Sequence, residues 1–554
     1  MAVEKGRKGE RLMILGAGVM QGPAIRIARE MGLETVVVDG DPAAPQASRA
    51  DRFECIDLKD KEGIEALART LQVQGGLGGI MTAGTDFSAT VAWVAERLGL
   101  PGIPYQAALN ASDKERMRRR FKEGGVPSPE YIIMLSPPPV GEDAGFALPF
   151  PYPVVVKPVD NMGGRGCRRV DSDKELAAAV PEALGFSRSG RVIVEEFMAG
   201  PEFSVDAIVH KGELSICGFA DRHIFFPPYF IEMGHTMPSS LGEEQTRALL
   251  EAFAAGVRAL GITSGAAKGD LKLSPRGPMI GEIAARLSGG YMSGWTYPYA
   301  SGVEPARGAI LAALGKSPEG LEPRREWTSA ERAFISIPGR VRSIQGLEKA
   351  RAREHIKDLF LRIAPGSPVR FPENNVTKGG NVISAAPDRE GAVLSAERAA
   401  RAVLIRLEAP RQETEDFLCP PQALGEGRFP PDAFALPEHI RALLLLFPEP
   451  PIPPAPFPGN PAVSILPFPD FTESGLLDYT GRTVSESLDA VREITGLALP
   501  LEDIPPAPGA GEGAGVFLGR SFWAALIRGG YQGAAYVVDR LVQLLSGREE
   551  PGRP

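Results

Sequence analysis

The chain has 554 residues, of which 43% are hydrophobic and 23% charged, and its formal net charge at pH 7 is −8. This length exceeds what one hydrophobic core can organise and predicts about three to five domains or subdomains. The negative net charge argues against a nucleic-acid-binding protein that works through a broad basic surface.

The cellular compartment is indicated by the start of the chain and by the cysteines. The opening segment MAVEKGRKGER is charged and leads directly into a short apolar strand, so it lacks the apolar region of a signal peptide. No apolar run approaches the length of a membrane span. The four cysteines form no CxxC pair, which is typical of reduced thiols: Cys55, Cys167, Cys217 and Cys419. We therefore expect a cytoplasmic protein with neither a membrane nor a nucleic acid as its partner.

Residues 11 to about 110 alternate short β-branched runs with helical patterns in the order βαβαβα. The segments are LMILGAG, PAIRIAREMG, TVVVDGD, a helix around Lys61 to Leu71, GGIMTAGTD and ATVAWVAERLGL. This order predicts a parallel sheet with helices on both faces. Ligands of such sheets bind at the carboxyl ends of the strands.

The next 200 residues change to an α+β pattern. A basic helix is followed by a Pro-rich connector and by strands joined through turns, which predicts a small antiparallel sheet with a helix packed on it. Further strands and two helices follow, up to about residue 315. The predicted segments are helix Asp113–Glu123, connector Ser136–Pro153, strands VVVKP, RVIVEEFM and EFSVDAIV, and helices Ser172–Leu184, Glu243–Leu260 and Glu304–Leu314.

The last part of the chain begins with strands between residues 328 and 408, the turn TKGGN and a predicted closing helix, SAERAARAVLIRLE. From Pro448 to Pro469 prolines recur every two to four residues, which favours extended chain. A helix at Thr483–Thr495, a Gly/Pro/Ala stretch at Pro505–Gly515 and a final helix at Ala534–Leu545 are predicted after it.

The first motif, GAGVMQG, has glycines at positions 16, 18 and 22 and is followed by a strand that ends at Asp39. A dinucleotide fingerprint has the spacing GxGxxG and an acidic residue some twenty positions further on. Here the third glycine falls one position late. The motif leaves open a nicotinamide site and a tight strand-to-helix turn without cofactor, and it favours the turn.

The second motif, YPVVVKPVDNMGGRGCRRV, has the features of a phosphate clamp. Lys157 ends a strand and supplies a positive charge. The loop after it contains three glycines, whose backbone N–H groups can approach phosphate oxygens closely: Gly163, Gly164 and Gly166.

The third motif is VIVEEFMAGPEFSVD. Its first strand ends at a turn, where backbone groups can contact the edge of an adenine ring. Glu202 opens the next strand, where its carboxylate can accept hydrogen bonds from the ribose hydroxyls.

The fourth motif, GDLKLSPRGPMIGEIAAR, predicts a hairpin with a three-residue loop at 275–277. In that register Ser274 faces Pro278 and Asp270 lies directly opposite Glu282, about 4.5 to 5.5 Å away between Cβ atoms. A cation between these like charges removes their repulsion, and the ligand type suits Mg²⁺ brought in with a nucleotide. Alternation puts Arg286 on the same face as Glu282. An exposed Asp/Glu pair with salt-bridge partners is the alternative interpretation.

In this order and spacing, the motifs resemble the ATP-grasp superfamily of carboxylate–amine ligases over residues 11 to about 408. The resemblance implies an α/β and α+β multidomain fold: a parallel βαβ domain at 1–111, a lid region with its linker helix at 112–205, a core with antiparallel sheet at 206–327 and a small subdomain at 328–408. Residues 409–554 then form a Pro-rich linker and an extension of unknown role.

The resemblance also implies roles for individual residues. ATP is the nucleotide, and Mg²⁺ is the metal, with Mn²⁺ as an alternative. Lys157 and Arg286 are implied to be catalytic. The implied nucleotide-binding residues are Lys114, Lys157, Gly163, Gly164, Gly166, Glu195, Glu196, Met198 and Glu202. The implied metal ligands are Asp270 and Glu282, and the implied substrate residues are Glu232, His235, Ser288, Gly289 and Gly290.

The activity that the resemblance implies is ADP-forming ligation of a small-molecule carboxylate to an amine through an acyl phosphate, by an enzyme that can form a homodimer. Two departures from the family pattern bear on it. Ala284 stands where many relatives carry Asn, and Asp270 stands where many carry Glu. Two other classes therefore stay open: a non-catalytic ATP-binding or regulatory homologue, and a nicotinamide-dependent oxidoreductase.

Overall fold

The structure is a computed structural model, and it describes residues 10–139, 147–418, 429–452, 462–504 and 515–547. The chain divides into two compact units. The first contains the chain up to residue 332 with 373–375 and 383–396, and the second contains the remainder. Parts of three predicted features lie outside the described residues, namely 140–146 of the connector, 453–461 of the proline run and 505–514 of the Gly/Pro/Ala stretch, as does Cys419.

The N-terminal sheet has four parallel strands in the order β3-β2-β1-β4, which confirms the predicted parallel sheet. In β1, Leu12 and Ile14 pack towards α1, whereas Met13 and Leu15 pack towards α2 and α3. Period-two alternation of apolar side chains thus places helices on both faces. Strand β3 was not predicted, because its sequence, RFEC, is only partly buried. The elements are β1 (Arg11–Leu15), α1 (Gly22–Glu30), β2 (Glu34–Asp39), β3 (Arg52–Cys55), α2 (Lys61–Val73), β4 (Gly79–Thr82), α3 (Ser88–Leu98) and α4 (Tyr105–Ser112).

The next sheet is antiparallel, with the order β5-β8-β6-β7, and α6 packs on it as predicted. Its apolar interface joins valines of the strands, such as Val156 and Val194, to Leu176 and Val180 of the helix. The linker helix α5 starts at Lys114 because the Asp113 side chain accepts the backbone N–H of Arg116. The elements are α5 (Lys114–Glu123), β5 (Tyr131–Met134), β6 (Val154–Pro158), β7 (Arg168–Val170), α6 (Asp173–Phe186) and β8 (Val192–Glu196).

The core elements follow as β9 (Glu202–His210), β10 (Glu213–Phe225), β11 (Ile231–Met237), α7 (Glu243–Leu260), β12 (Gly265–Ser274), β13 (Gly277–Ala284), α8 (Tyr297–Ser301), α9 (Pro305–Ala313) and β14 (Thr328–Phe334). A π-helical turn at Met292–Thr296 precedes α8. After β14 come β15 (Gly339–Gln345), α10 (Leu347–Arg351), β16 (Ile356–Leu361), β17 (Pro368–Val369), β18 (Gly380–Ala386), α11 (Arg389–Ala402) and β19 (Leu404–Leu407).

A large sheet with strands in the order β13-β12-β9-β10-β11-β14-β18 forms the core of the first unit, and the pairs from β13 to β14 are antiparallel. Helix α7 buries Phe253 and Val257 against it, together with Val205 and Ile283 of the sheet. This packing gives the hairpin of β12 and β13 a rigid apolar back, so its polar side chains project to the other face.

The predicted closing helix SAERAARAVLIRLE is wrong over its last residues. Helix α11 ends at Ala402, and Leu404–Leu407 instead forms β19, paired antiparallel to β15. Leu404, Ile405 and Leu407 are all buried, so this segment lies in a position where a strand can bury both faces. A short apolar run of this kind does not distinguish a buried strand from the end of a helix by its periodicity.

The C-terminal segment contains α12 (Gln412–Leu418), α13 (Glu438–Leu446), β20 (Val463–Ile465), α14 (Pro469–Thr472), α15 (Val484–Thr495), β21 (Val516–Leu518) and α16 (Arg520–Leu545). Helix α15 was predicted, and Thr483 and Glu486 form its capping box. Helix α16 begins fourteen residues before the predicted start, with non-helical backbone at Gly530 (φ 61°, ψ −152°). Trp523 of α16 is fully buried at the centre of the segment's core, in contact with aromatic side chains: Phe468, Phe471 and Phe522.

Candidate active site

The hairpin of β12 and β13 places Asp270 opposite Glu282, as predicted. The predicted loop, however, is wrong. Ser274 pairs with Gly277, so the loop has only two residues, and an irregularity after Asp270 leaves Gly281 unpaired. The loop is one residue shorter than predicted, and the bulge adds one residue to β13. These two differences cancel, so Asp270 and Glu282 are opposite each other although the predicted loop is wrong.

Four cations surround Glu282. Lys114 Nζ lies 3.6 Å from Glu282 Oε2 and donates to the backbone oxygen of Asn161 at 2.7 Å. Burial alone would raise the pKa of Glu282, but the positive charges of Lys114, Lys268, Lys157 and Arg286 lower it to about 2. Burial opposes the charge of Lys114, and the carboxylates of Glu282 and Asp86 offset this and raise its pKa. Glu282 and Lys114 are therefore both charged at neutral pH.

Lys157, at the end of β6, is held by a buried carboxylate. Its Nζ lies 2.5 Å from Glu195 Oε2, and Glu195 Oε1 accepts from Arg118 Nε at 2.8 Å. Burial disfavours the charge of Glu195, but the two cations, Arg118 and Lys157, lower its pKa below the usual value. Arg118 also donates to the backbone oxygen of Gly281 at 2.6 Å. Arg118 thus connects the lysine support to the bulge of the hairpin, a role that the sequence did not indicate.

The three glycines of the predicted phosphate loop all have left-handed backbone, with φ of 70° at Gly163, 75° at Gly164 and 65° at Gly166. Gly163 and Gly164 line a cavity, whereas Gly166 packs against α6, where a Cβ would lie 2.8 Å from the Phe186 ring. The backbone N–H of Asn375 donates to the Gly163 oxygen at 2.9 Å. The structure therefore brings two of the three glycines to the cavity.

This cavity has a volume of about 170 Å³, and because the predicted nucleotide-binding residues line it, we call it the nucleotide cavity. Two rings that were not predicted also line it: Phe197, at the end of β8, and Phe230, with centroids 6.4 Å apart and planes 24° from parallel. Lys272 lines the cavity too, and its Nζ donates to the Met198 oxygen at 3.0 Å. The predicted residues on its wall are Lys114, Lys157, Gly163, Gly164, Glu195, Glu196, Met198, Glu202, Asp270 and Glu282.

Arg222, on β10, joins three of the predicted carboxylates and was missed by the sequence analysis. Its guanidinium lies 2.5 Å from Glu202 Oε1, 2.7 Å from Glu232 Oε2 and 2.8 Å from Asp270 Oδ1. Lys268 also pairs with Asp270. Antiparallel pairing puts Arg222 opposite Glu202, but the other two contacts depend on the register of the whole sheet. The sequence could therefore have indicated the pairing of Arg222 with Glu202, but not its contacts with Glu232 and Asp270.

The predicted substrate residues Glu232 and His235 lie next to each other on β11. His235 is fully buried, with Nε2 2.8 Å from Thr296 Oγ1 and Nδ1 3.3 Å from Glu331 Oε2. Burial lowers the pKa of His235, and hydrogen bonds with Glu232 and Glu331 outweigh this and raise it. The backbone N–H of Glu232 donates to Asn375 Oδ1 at 2.8 Å. The buried His235 ring is thus placed to hold the Glu232 carboxylate in position.

The segment after β13 forms a tight turn. Ser288 donates from both its backbone N–H and its hydroxyl to Asp206, which is fully buried. Gly289 lies 3.5 Å from the Gly84 Cα, measured from an added Cβ, and Gly290 has φ of 60°. The left-handed backbone therefore favours glycine at position 290, whereas a Cβ at position 289 would make only an ordinary van der Waals contact. Arg286, only 9% exposed, donates to the Leu287 oxygen at 2.9 Å.

Asp86, in the loop after β4, also faces this charge cluster. Burial raises its pKa, opposed by the positive charges of Arg286, Lys114 and Arg188. Its carboxylate lies 3.6 Å from Arg188. The expectation that ligands gather at the carboxyl ends of parallel strands could have identified this residue.

The turn GAGVMQG is filled by one of its own side chains. Gln21 Oε1 accepts the Gly18 N–H at 2.9 Å, and a Cβ at Gly16 would lie 2.9 Å from Gln21 Cδ. Asp39 accepts the Ala17 N–H at 2.7 Å. The Gln21 side chain and the Asp39 carboxylate thus bind the backbone of the turn themselves, and this geometry favours the tight-turn interpretation.

The carboxylates of Asp270 and Glu282 suit one hard cation whose remaining ligands come from a bound substrate. They do not form a site in which the protein supplies every ligand. Among the described residues, Asp270 Oδ1 is buried and lies 2.8 Å from an Arg222 nitrogen without the geometry of a hydrogen bond, and Asp270 lies opposite Glu282. Across the described ranges, no group of three or more His, Cys, Asp or Glu side chains is arranged to hold a metal. Two carboxylates completed by substrate phosphates is a usual arrangement for Mg²⁺. Ala284, buried on β13, contributes no ligand atom.

Comparison with known proteins identifies the parts of the chain. The model of the ATP-grasp N-terminal domain matches residues 25–102, that of the ATP-grasp domain matches 150–294, and that of the L-amino acid ligase C-terminal domain 2 matches 333–408. In the described part of the chain, no helix combines the length and apolar character that crossing a membrane requires.

Individual relatives are similar to more than half of this chain. The uncharacterized protein y4rH of Sinorhizobium fredii is 26% identical over 68% of this chain and 79% of its own length. Carnosine synthase 1 of Gallus gallus is 27% identical over 56% of this chain, which spans only 36% of that relative. The crystal structure of an L-amino acid ligase from Bacillus licheniformis superimposes with a TM-score of 0.64, at 22% identity, over 73% of this chain and all of that one. Three family models thus match in succession, so the chain contains an ATP-grasp N-terminal domain, an ATP-grasp domain and an L-amino acid ligase C-terminal domain 2.

Proposed function

We propose that the protein is an ATP- and Mg²⁺-dependent ligase that joins a carboxylate to an amine and releases ADP and phosphate. The observation that carries the proposal is the pair Asp270 and Glu282, opposed on a hairpin at the wall of a cavity that also contains Lys114 and Lys157. Relatives named as an L-amino acid ligase and as carnosine synthase support the reaction class.

The nucleotide occupies the cavity in this proposal. Lys157 and Lys114 bind the phosphates, beneath the backbone of Gly163 and Gly164. The strand end at 195–198 contacts adenine between the rings of Phe197 and Phe230, and Glu202 accepts the ribose hydroxyls. The Glu195 carboxylate holds Lys157 in place, because it is already paired with that lysine and with Arg118.

Asp270 and Glu282 are the residues that would hold the magnesium ion, which neutralises charge on the transferred phosphoryl group when bound. The protein contributes positioning and positive charge. Lys114, Lys157 and Arg286 surround Glu282 and therefore also surround the place where negative charge develops. Arg286 faces the acyl group in this arrangement, near the turn formed by Ser288, Gly289 and Gly290.

The proposed reaction has two steps. The substrate carboxylate attacks the γ-phosphorus of ATP, which gives an acyl phosphate and ADP. The amine then attacks the acyl carbon, phosphate leaves, and an amide forms. Glu232, supported by His235 and Arg222, is the carboxylate proposed to contact the substrate. Its negative charge suits the ammonium group of an amino-acid substrate.

The test is release of ADP and phosphate when mixtures of amino acids and small carboxylates are added with Mg·ATP. We expect release only when both a carboxylate and an amine are present, together with a condensed product detected by mass spectrometry. Glu282→Gln removes the charge of one proposed metal ligand and should abolish release. Glu244→Gln, an exposed change on α7, is the matched control and should retain full activity.

A second candidate function rests on Ala284, which supplies no metal ligand. It is a non-catalytic ATP-binding or regulatory protein. Nucleotide binding that Lys157→Met weakens, with no ADP release on any combination of substrates, would establish this candidate and refute the ligase. Substrate-dependent ADP release would refute the regulatory role.

A further inference from the structure

The second unit contains a basic cleft that shares no residue with the candidate active site. It has a volume of about 430 Å³ and lies among helices α10, α11 and α15. We call it the basic cleft. Its basic residues are Lys349, Arg353, Arg398, Arg401 and Arg482, and its acidic residues are Glu486, Asp489 and Glu493.

The acidic residues of the cleft already have partners. Glu486 accepts the backbone N–H of Thr483 at 2.8 Å in the capping box of α15. Asp489 pairs with Arg492 at 2.8 Å, and Glu493 pairs with Lys349 at 3.2 Å. Each carboxylate is therefore engaged with a group other than the four arginines.

The four arginines lack a countercharge. Within the described ranges, none of them has a carboxylate oxygen within 4.0 Å. Arg482, only 5% exposed, donates to Thr480 Oγ1 at 2.6 Å and to the Arg401 oxygen, and its guanidinium lies 4.8 Å from the centre of the Tyr531 ring. Arg401 donates to the Gly481 oxygen at 2.5 Å. These are neutral partners, which leave the positive charges uncompensated.

Arg353 and Arg398 point more directly to a ligand. Arg353 Nε is buried and has no hydrogen-bond partner among the residues that the structure describes, which is unfavourable for a charged group. Arg398 is exposed at the cleft. Like charges gathered around one cavity repel each other, and an anion bound among them would remove both the repulsion and the unmet hydrogen-bonding capacity of Arg353.

We propose that the basic cleft binds a small phosphate-bearing anion. Planar guanidinium groups match the oxygens of a phosphate with two hydrogen bonds each, and four of them suit a dianion. The volume exceeds that of inorganic phosphate alone and leaves room for a small organic group, as in a phosphomonoester. The proposal does not depend on the reaction at the nucleotide cavity.

The experiment is isothermal titration of the full chain with inorganic phosphate and, separately, with glucose 6-phosphate. ADP and Mg²⁺ are kept at saturating concentrations, so that the nucleotide site is filled. The ionic strength is held constant with a chloride salt. We expect one equivalent of phosphate-class ligand to bind. Arg398→Gln should weaken binding about tenfold, and the double variant Arg353→Gln/Arg398→Gln should weaken it further.

Arg351→Gln is the matched control, because Arg351 ends α10 two residues before Arg353, pairs with Glu348 at 2.6 Å and does not line the cleft. It should bind as the native chain does. Tighter binding of glucose 6-phosphate would identify a phosphomonoester as the ligand, and equal or tighter binding of phosphate would identify the inorganic ion. The absence of binding by both ligands overturns the proposal. Unchanged binding in Arg398→Gln, which alters an exposed side chain and leaves the packing intact, also overturns it.

Discussion

Lys157 and Arg222 show what single residues contribute to this site. The sequence predicted a phosphate-binding role for Lys157, because a lysine that ends an apolar strand before a glycine loop suits a phosphate, and the structure places Lys157 on the wall of the cavity. Arg222 was not, because its partners lie on three other strands: Glu202, Glu232 and Asp270. A functional charge that belongs to a local motif can be predicted from the sequence. A functional charge whose partners lie far along the chain can be found only in the folded structure.

Replacing Lys157 tests the phosphate contact. Lys157→Met should lower turnover by a factor on the order of 10²–10³, because a positive charge at the phosphates is lost. Glu195 keeps its pair with Arg118, so the fold should persist. The measurement is steady-state ADP release beside circular dichroism. Lys174→Met, at an exposed position of α6, serves as the control, and equal activity of the two variants would contradict the phosphate role.

Replacing Arg222 tests the carboxylate cluster. Arg222→Met leaves Glu202, Glu232 and Asp270 close together with part of their countercharge removed, and it should lower the free energy of unfolding by about 3–5 kcal/mol. Denaturant-induced unfolding measures this. Arg276→Met, at a largely exposed arginine that pairs with Glu196, should change stability by less than about 1 kcal/mol. A similar decrease in the free energy of unfolding in both variants would show that Arg222 does not stabilise the carboxylate cluster more than an exposed ion pair does.

Asp206 predicts a pH dependence of stability. Burial raises its pKa to about 6, against the opposing hydrogen bonds from Ser288. Between about pH 4 and pH 6 the folded state binds this proton and the unfolded chain does not, so the contribution of Asp206 to stability falls as pH rises through this window.

Asp206→Asn removes that fall. Between pH 4 and pH 7 the stability of the variant relative to the native chain should rise by on the order of 2–3 kcal/mol. Urea unfolding at several pH values measures the difference. An exposed carboxylate changed in the same way, Glu244→Gln, should give a difference that is nearly flat with pH, and a flat difference for Asp206→Asn would refute the assignment.

Helices and strands were predicted best where a single pattern persists. Strand β6 was predicted at its observed bounds, and α15 within one residue, because a capping box marks its start. The errors fall at β19 and at the first half of α16. In β19 an apolar run follows a helix without a break signal, and in α16 glycines at 529, 530 and 533 conceal a helix that tertiary contacts stabilise.

The break in α16 supplies a test at this scale. Gly530 has backbone angles that only glycine adopts readily, so Gly530→Ala should destabilise the protein by about 1–3 kcal/mol. The same change at Gly185, an exposed position in α6 with nothing near an added Cβ, should instead stabilise it by about 0.4–1 kcal/mol. Differential scanning calorimetry compares the two, and a stabilising effect at Gly530 would contradict the observed backbone.

The sequence left the role of the chain beyond residue 409 open. In the structure this segment belongs to the same compact unit as residues 333–372. Gln532 of α16 accepts the Ile337 N–H at 3.2 Å and donates to the Ile405 oxygen at 3.2 Å. Arg406 pairs with Asp539, which is buried. The C-terminal helix therefore completes a core that begins at residue 333.

Truncation tests this organisation. A chain ending at residue 408 loses α16 and should expose the apolar side chains of β15 and β19 to solvent. We expect increased binding of a hydrophobic dye and rapid proteolysis within 333–408. Trp523→Ala, which opens a cavity in the same unit, should cost about 3–5 kcal/mol without removing the fold. A truncated chain that resists protease as the full chain does would show that the extension is dispensable.

By itself the sequence indicated the resemblance to the ATP-grasp superfamily and named most of the predicted residues that line the cavity, because a lysine before a glycine loop and two carboxylates on a hairpin are local patterns along the chain. Only the tertiary structure decided the partners of those residues: Arg118 behind Lys157, Arg222 among the carboxylates, the bulge that sets the register of the hairpin, and the basic cleft among three helices. These depend on residues far apart in the chain, and a pattern along the sequence carries no information about which distant charges the folded backbone brings within hydrogen-bonding distance.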